Sequence, residues 1–194
     1  MSKKITVLVD GGHLRRYLKK AKKVIDADCI EKVGLSCSLA TEEIIRILYY
    51  DCALFNGQTK LPVSRTVQTF DQATPYLHDL ARKDLFAVRR GVLTFRGYII
   101  RRGHQPSNPP VDSDFTPKFE QKGVGMRIGL DMATIAANRS VDLIALMTND
   151  TDCVPAMKLV RRAGIQVALV CIPGCNPAPE LLAHSDFKRG IPWP

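Results

Sequence analysis

Strand-length apolar runs separated by helical patterns constrain this chain more than any other feature. The runs are "KITVLVD" (4–10), "RILYYDCALF" (46–55), "VDLIALM" (141–147) and "IQVALVCIPG" (165–174). Between them, "LRRYLKKAKKVI" (14–25), "QATPYLHDLARKDLFA" (72–87), "GVGMRIGLDMATIAANRS" (123–140) and "DCVPAMKLVRRAG" (152–164) carry helical spacing. The runs are nearly continuous in apolar residues, where a half-exposed sheet would alternate, and that pattern belongs to a parallel sheet covered by helices on both faces. The expected fold is therefore α/β: a Rossmann-like three-layer α/β/α sandwich around a mainly parallel sheet. A further strand is expected over 91–102, and a long irregular loop over 103–118, where four prolines fall. The chain of 194 residues reads as one domain over 1–190 with a tail at 191–194, which has room for one short helix just before it.

No apolar stretch reaches the ~20 residues of a membrane helix. The apolar run Ile5–Val9 is cut off by Asp10, which argues against a signal peptide. None of the six cysteines forms a C-x-x-C pair, so the expectation is reduced thiols in a cytoplasmic protein without structural zinc. The net charge is +9, with basic clusters at 15–23, 89–91, 95–104, 158–162 and 187–190. Any one cluster could be a solvated face, but the surplus as a whole fits a polyanionic partner, nucleic acid first, and no membrane.

The acids are more telling. In open parallel sheets ligands bind beyond the carboxyl ends of the strands. Asp10 ends the first run, Asp51 lies near the end of the second, and Asp150 and Asp152 follow "VDLIALM" in the turn "TNDTD". Asp131 is the lone acid of the apolar helical stretch "IGLDMATIAA". One such aspartate is explained as a helix cap. Several gathered on one edge repel, and a hard divalent cation, Mg²⁺ or Mn²⁺, would resolve the repulsion. Such an ion polarises a phosphoryl oxygen and acidifies water. With the basic surplus this points to a metal-dependent phosphodiesterase acting on nucleic acid. Lys122 reads as a solvated lysine or as a phosphate contact, and His13 as a cap, a partner of Asp10 or a substrate contact. "DGGH" is not a phosphate-cradling glycine motif. Gly12 replaces the second acid that a haloacid-dehalogenase phosphatase requires.

"TVLVDGGHL", "LYYDC", "QKGVGMRIGLDMATIA" and "DLIALMTNDTDCVPAMKLVRRAGIQVALV" resemble, in order and spacing, the NYN domains of the PIN-like nuclease superfamily, nearest to the LabA-like group. The resemblance implies a metal-dependent ribonuclease, a hydrolase of RNA phosphodiester bonds, in which Asp10, Asp131, Asp150 and Asp152 are catalytic metal ligands. Lys122 matches the lysine of the family's "KGVD" stretch, and Asp51, His13 and Asn149 join it as expected substrate contacts. Two positions depart from the family: His13, where many relatives carry Asn, and Gly125, where many carry Asp. The rival reading is an RNA-binding regulatory module that keeps the fold without turnover. Both readings are compatible with a homo-oligomer.

Overall fold

The computed structural model describes residues 2–71 and 73–193. Positions 1, 72 and 194, which belong to the ends of the expected domain, helix and tail, lie outside the described residues. The chain runs β1 (Lys3–Asp10), α1 (Gly11–Lys20), α2 (Ala27–Leu35), β2 (Glu42–Cys52), β3 (Gly57–Lys60), β4 (Val67–Phe70), α3 (Pro75–Leu80) and β5 (Phe86–Ile100). It continues through β6 (Phe115–Lys122), α4 (Val124–Asn138), β7 (Leu143–Met147), α5 (Val154–Arg162), β8 (Gln166–Cys171), α6 (Pro179–Ala183) and β9 (Phe187–Gly190).

Seven strands form one sheet in the order β6-β5-β2-β1-β7-β8-β9, and β3 and β4 form a separate antiparallel pair. All neighbours in the large sheet are parallel except β5 and β6. Counting only the parallel strands, the spatial order is 3-2-1-4-5-6, the doubly wound order whose switch point lies between the first and fourth strands. Here that is the gap between β1 and β7. The expected α/β fold with a mainly parallel sheet is thus observed.

Side-chain alternation along the central strands feeds two cores. Val7, Val9, Ile47 and Tyr49 pack with Leu14 and Leu18 of α1, Ile30 and Val33 of α2, and Leu77 and Leu80 of α3. Leu8, Leu48, Tyr50, Ile144 and Leu146 pack with Ile128 and Met132 of α4, Met157 and Val160 of α5, and Leu181 of α6. Helices therefore cover both faces, as a three-layer arrangement requires.

Several elements differ from the sequence reading. The helix expected over 72–87 is only Pro75–Leu80, because the chain turns at Leu85, with φ +66°, and Phe86 begins β5 against β2. The helix expected over 14–25 ends at Lys20, and Lys22 takes a positive φ of 55°. The loop expected over 103–118 gives up its last part to β6, which pairs with the far half of β5 from Phe115 onward. The short strands β3, β4 and β9 and the helix α2 carry too little periodicity to stand out in the sequence. Among the described residues no helix is long and apolar enough to cross a membrane.

Candidate functional site

The switch-point gap is where the sequence placed its acids. Asp10, the last residue of β1, caps α1: its Oδ1 accepts from the His13 backbone N–H at 3.1 Å. Its Oδ2 accepts from Thr148 Oγ1 at 3.0 Å, so a hydroxyl just past β7 ties the two strand ends together. The same Thr148 oxygen accepts the Asp150 N–H at 3.1 Å. Asp150 in turn caps the 3₁₀ turn Thr151–Cys153 that leads into α5, accepting from the Asp152 N–H at 3.0 Å. Its second oxygen, Oδ2, lies against the first turn of α4, where a Cβ built on Gly125 would come within 2.8 Å of it. Asp152 is exposed at the rim.

Three helix N-termini, those of α1, α4 and the turn into α5, thus face these carboxylates. Each contributes a cap or dipole stabilisation of roughly 0.3–2 kcal/mol, which offsets part of the mutual repulsion. The Cys153 thiol is buried in the core beneath, within electrostatic reach of all three. Burial, followed by the charges of Asp150, Asp10 and Asp152, pushes its pKa up to about 12.

The other predicted residues occupy different surroundings. Asp131 does face the same side of the sheet, but it accepts from Tyr50 Oη at 2.8 Å and pairs with Arg89 Nε at 3.1 Å. Six helical positions separate it from Gly125, about 9 Å along the axis of α4. Burial, then the Asp131 charge, raises the Tyr50 pKa, so this phenol stays a neutral donor. Asp51 lies on the opposite face and is fully buried. Its carboxylate pairs with Arg15 and accepts from Tyr49 Oη and Tyr76 Oη, each at 3.1 Å, and from the Cys52 N–H at 2.7 Å.

His13 is also buried: its ring packs on Tyr17, with centroids 5.0 Å apart, and its Nε2 lies 3.8 Å from Cys175 Sγ. Only its backbone meets Asp10. Burial lowers its pKa, ahead of the opposing effect of Asp10 and the concurring effect of Arg16. Asn149 Oδ1 accepts the Ala178 N–H at 2.9 Å and so holds the segment before α6. Lys122 is exposed at the end of β6, its carbonyl against Gly91 beside Cys52, level with the same edge.

The four expected metal ligands are therefore divided. Asp10, Asp150 and Asp152 are linked through Thr148 and the turn into α5, and Asp131 stands with Tyr50 and Arg89. Among the described residues, no three His, Cys, Asp or Glu side chains form a ready ligand cage. The donor chemistry still suits a hydrated hard cation, which needs one or two carboxylates and keeps its waters. At the gap, Asp150 Oδ2 and the Asp152 carboxylate are left for a cation by bonds that go to Asp150 Oδ1 instead, as is Asp131 Oδ1 farther along α4, and Gly125 leaves open the space that a side chain would fill.

The sequence reading missed Thr148, Tyr50, Arg89 and Gln121. Only Arg89 had a signal, as part of the basic cluster at 89–91. The glycines of "DGGH" also gain a reason. They are the first helical residues, and a Cβ would come within 2.6 Å of Tyr49 Oη at Gly11 and 2.5 Å of Gln121 Oε1 at Gly12.

No family model matches the sequence, and no curated protein matches it. Among solved structures, a protein of unknown function from Vibrio parahaemolyticus is similar in fold, with a TM-score of 0.55 and 20% identity over 98% of this chain and 93% of that one. At that identity the likeness speaks to fold alone.

Proposed function

We infer that the chain is a metal-dependent ribonuclease of the PIN-like type, close to the NYN domains, working at the gap between β1 and β7. The observation that carries this reading is the joining of Asp10 to Asp150 through Thr148 at the switch point of a doubly wound sheet. Asp10, Asp150 and Asp152 would hold Mg²⁺ or Mn²⁺, with Asp131 completing the acidic wall. The cation, when bound, supplies Lewis acidity toward a phosphoryl oxygen and lowers the pKa of water. The protein's own residues do the rest. Asp152, exposed at the rim, would take through the oxygen not given to the cation the one proton that the attacking water loses, and that proton can pass to the departing ribose oxygen. Arg89, 3.1 Å from Asp131, offsets negative charge at the phosphate, and Lys122 at the rim contacts the RNA backbone.

One observation favours a second reading, an RNA-binding module without turnover. Asp10, Asp131 and Asp150 all have structural employment as caps or in an ion pair, so the acids are explained without catalysis.

The deciding experiment is cleavage of end-labelled single-stranded and structured RNAs with Mn²⁺, Mg²⁺ or EDTA, by wild type, Asp10→Asn and Asp150→Asn. Asn caps a helix as well as Asp does, so both variants should keep their stability within about 0.5 kcal/mol. The expected result is metal-dependent cutting by wild type and its loss in both variants. Full activity in both would overturn Asp10 and Asp150 as the metal-holding residues, no cutting by wild type would overturn the nuclease reading, and RNA binding without cutting by wild type would select the second.

A further inference from the structure

The half of β5 beyond Gly91 leaves the sheet. It pairs with β6 alone, from Val92↔Lys122 to Ile100↔Phe115. This two-stranded arm projects past the carboxyl edge by nine residues, roughly 30 Å at strand rise. Its two faces differ sharply. On one, Phe95, Phe119 and Tyr98 pack under the β3–β4 hairpin through Phe55 and Phe70, with ring centroids 5.3–6.5 Å apart. Tyr98 Oη also bonds Thr59 Oγ1 at 2.7 Å and Gln68 at 2.8 Å. Tyr98 reaches this face because the register shifts between Phe95 and Tyr98, at Gly97 with φ +93°. A regular strand would have left it on the other side.

The opposite face is open. Strand alternation places Val92, Thr94, Arg96 and Ile99 there with Thr116, Lys118, Glu120 and Lys122. Val92 is 60% and Ile99 47% exposed. Residues 92–122 hold five Arg and Lys against three acids. Each acid is occupied, Glu120 and Asp114 within the arm and Asp112 by the turn between β3 and β4. Glu120 pairs with Arg96, Asp114 accepts from His104 and from the Ser107 and Val111 backbone, and Asp112 accepts from the Val63 and Ser64 backbone. Lys118, Lys122 and the tip residues Arg101 and Arg102 are therefore a line of exposed cations. The line ends beside the acidic gap: Lys122 is followed after one glycine by α4, whose first turn meets Asp150.

We propose that the open face of the β5–β6 arm is a backbone track for RNA, leading the strand from the tip at Arg101 and Arg102 past Lys118 and Lys122 to the gap at Asp150. The proposal rests on the nuclease reading for its choice of polyanion. A linear row of cations on a narrow arm suits a linear chain of phosphates, whose binding is driven by counterion release and falls with salt.

The test is anisotropy of a labelled, unstructured single-stranded RNA in EDTA across a salt series, with anionic lipid vesicles as a second probe and Mn²⁺ cleavage assayed separately. Arg101→Ala/Lys118→Ala should weaken RNA binding by on the order of tenfold near 0.1 M salt and flatten the log–log salt slope by about 1.4. Lys19→Ala/Lys20→Ala, an equal charge loss at the far end of α1, should leave both unchanged. An arm variant that binds RNA with wild-type affinity and slope overturns the track, while the cleavage assay still decides the nuclease reading on its own. Arm-dependent RNA binding by a protein that never cuts upholds the track and sinks the nuclease. Vesicle binding lost in the arm variant, with no RNA binding by wild type, overturns RNA as the occupant.

Discussion

Asp51 offers the sharpest test of the division between structure and chemistry at this edge. The perturbation is Asp51→Asn. Its Oδ2 accepts from Arg15, Tyr49 and Tyr76, and its Oδ1 accepts from the Cys52 N–H and, weakly, from Gln121. An amide oxygen can serve one of these sets, but the amide NH₂ then opposes a backbone donor, and the Arg15 charge loses its counterion. Breaking a buried ion pair costs about 3–5 kcal/mol. The Arg15 side chain is 25% exposed and regains some water, so the lower part of that range, about 3–4 kcal/mol, is expected. With an unfolding entropy of about 2.1 cal/mol/K per residue, a chain this long has roughly 0.4 kcal/mol/K at its midpoint, so Tm should fall by roughly 8–10 °C. Thermal and urea unfolding of Asp51→Asn, Arg15→Met and the double variant measure this, and the double should cost less than the sum of the singles. A Tm drop under about 2 °C, or strictly additive costs, would refute the reasoning. Loss of Mn²⁺-dependent cleavage at unchanged Tm would make Asp51 a ligand instead.

Gly125→Ala should leave stability within about 1 kcal/mol, because the gain in helix propensity offsets the displaced Asp150 cap. RNA cleavage should fall roughly tenfold to a hundredfold as the new methyl moves Asp150, a drop read as kcat at saturating RNA. The buried Asp114 carboxylate is held at about 2, below its ordinary 3.8, by the Val111 N–H first and by His104 next. A depressed acid stabilises above its unfolded pKa and loses that contribution as pH falls through the folded one. The protection factors of amides in 101–114, the exchange rates divided by their intrinsic values, should therefore fall as pH drops from about 4 to about 2, whereas Asp114→Asn should lower them already at neutral pH.

The parallel core was legible because β1, β7 and β8 are buried on both faces and admit almost nothing polar. Their ends were legible for the same reason: Asp10 and Asp150 stand where the apolar run stops. The side toward which a strand-end acid points was harder to read. Asp51 shares a face with Tyr49, and that parity becomes meaningful only once Tyr50 is known to pair with Asp10. Asp131 stood out as the lone acid of an apolar helical stretch, but its partner Arg89 is 42 positions away, and no local pattern announces such a partner. The first strand of the arm was legible over 91–102 from its alternation, but its partner β6 was hidden by Pro117 at the margin of a proline-rich stretch.

The central position of β1 has a consequence for how the molecule comes into being. One edge of β1 is covered by β2 soon after both leave the ribosome. Its other edge waits for β7, about 95 residues after the end of β2, which at 5–20 residues per second takes roughly 5–20 s. Throughout that interval the nascent chain presents an unpaired apolar strand edge of the kind that chaperones bind. The acidic gap cannot exist until the wait is over, since Thr148 arrives with β7. The aromatic-backed arm, complete in sequence by Lys122, can form before the gap it leads to.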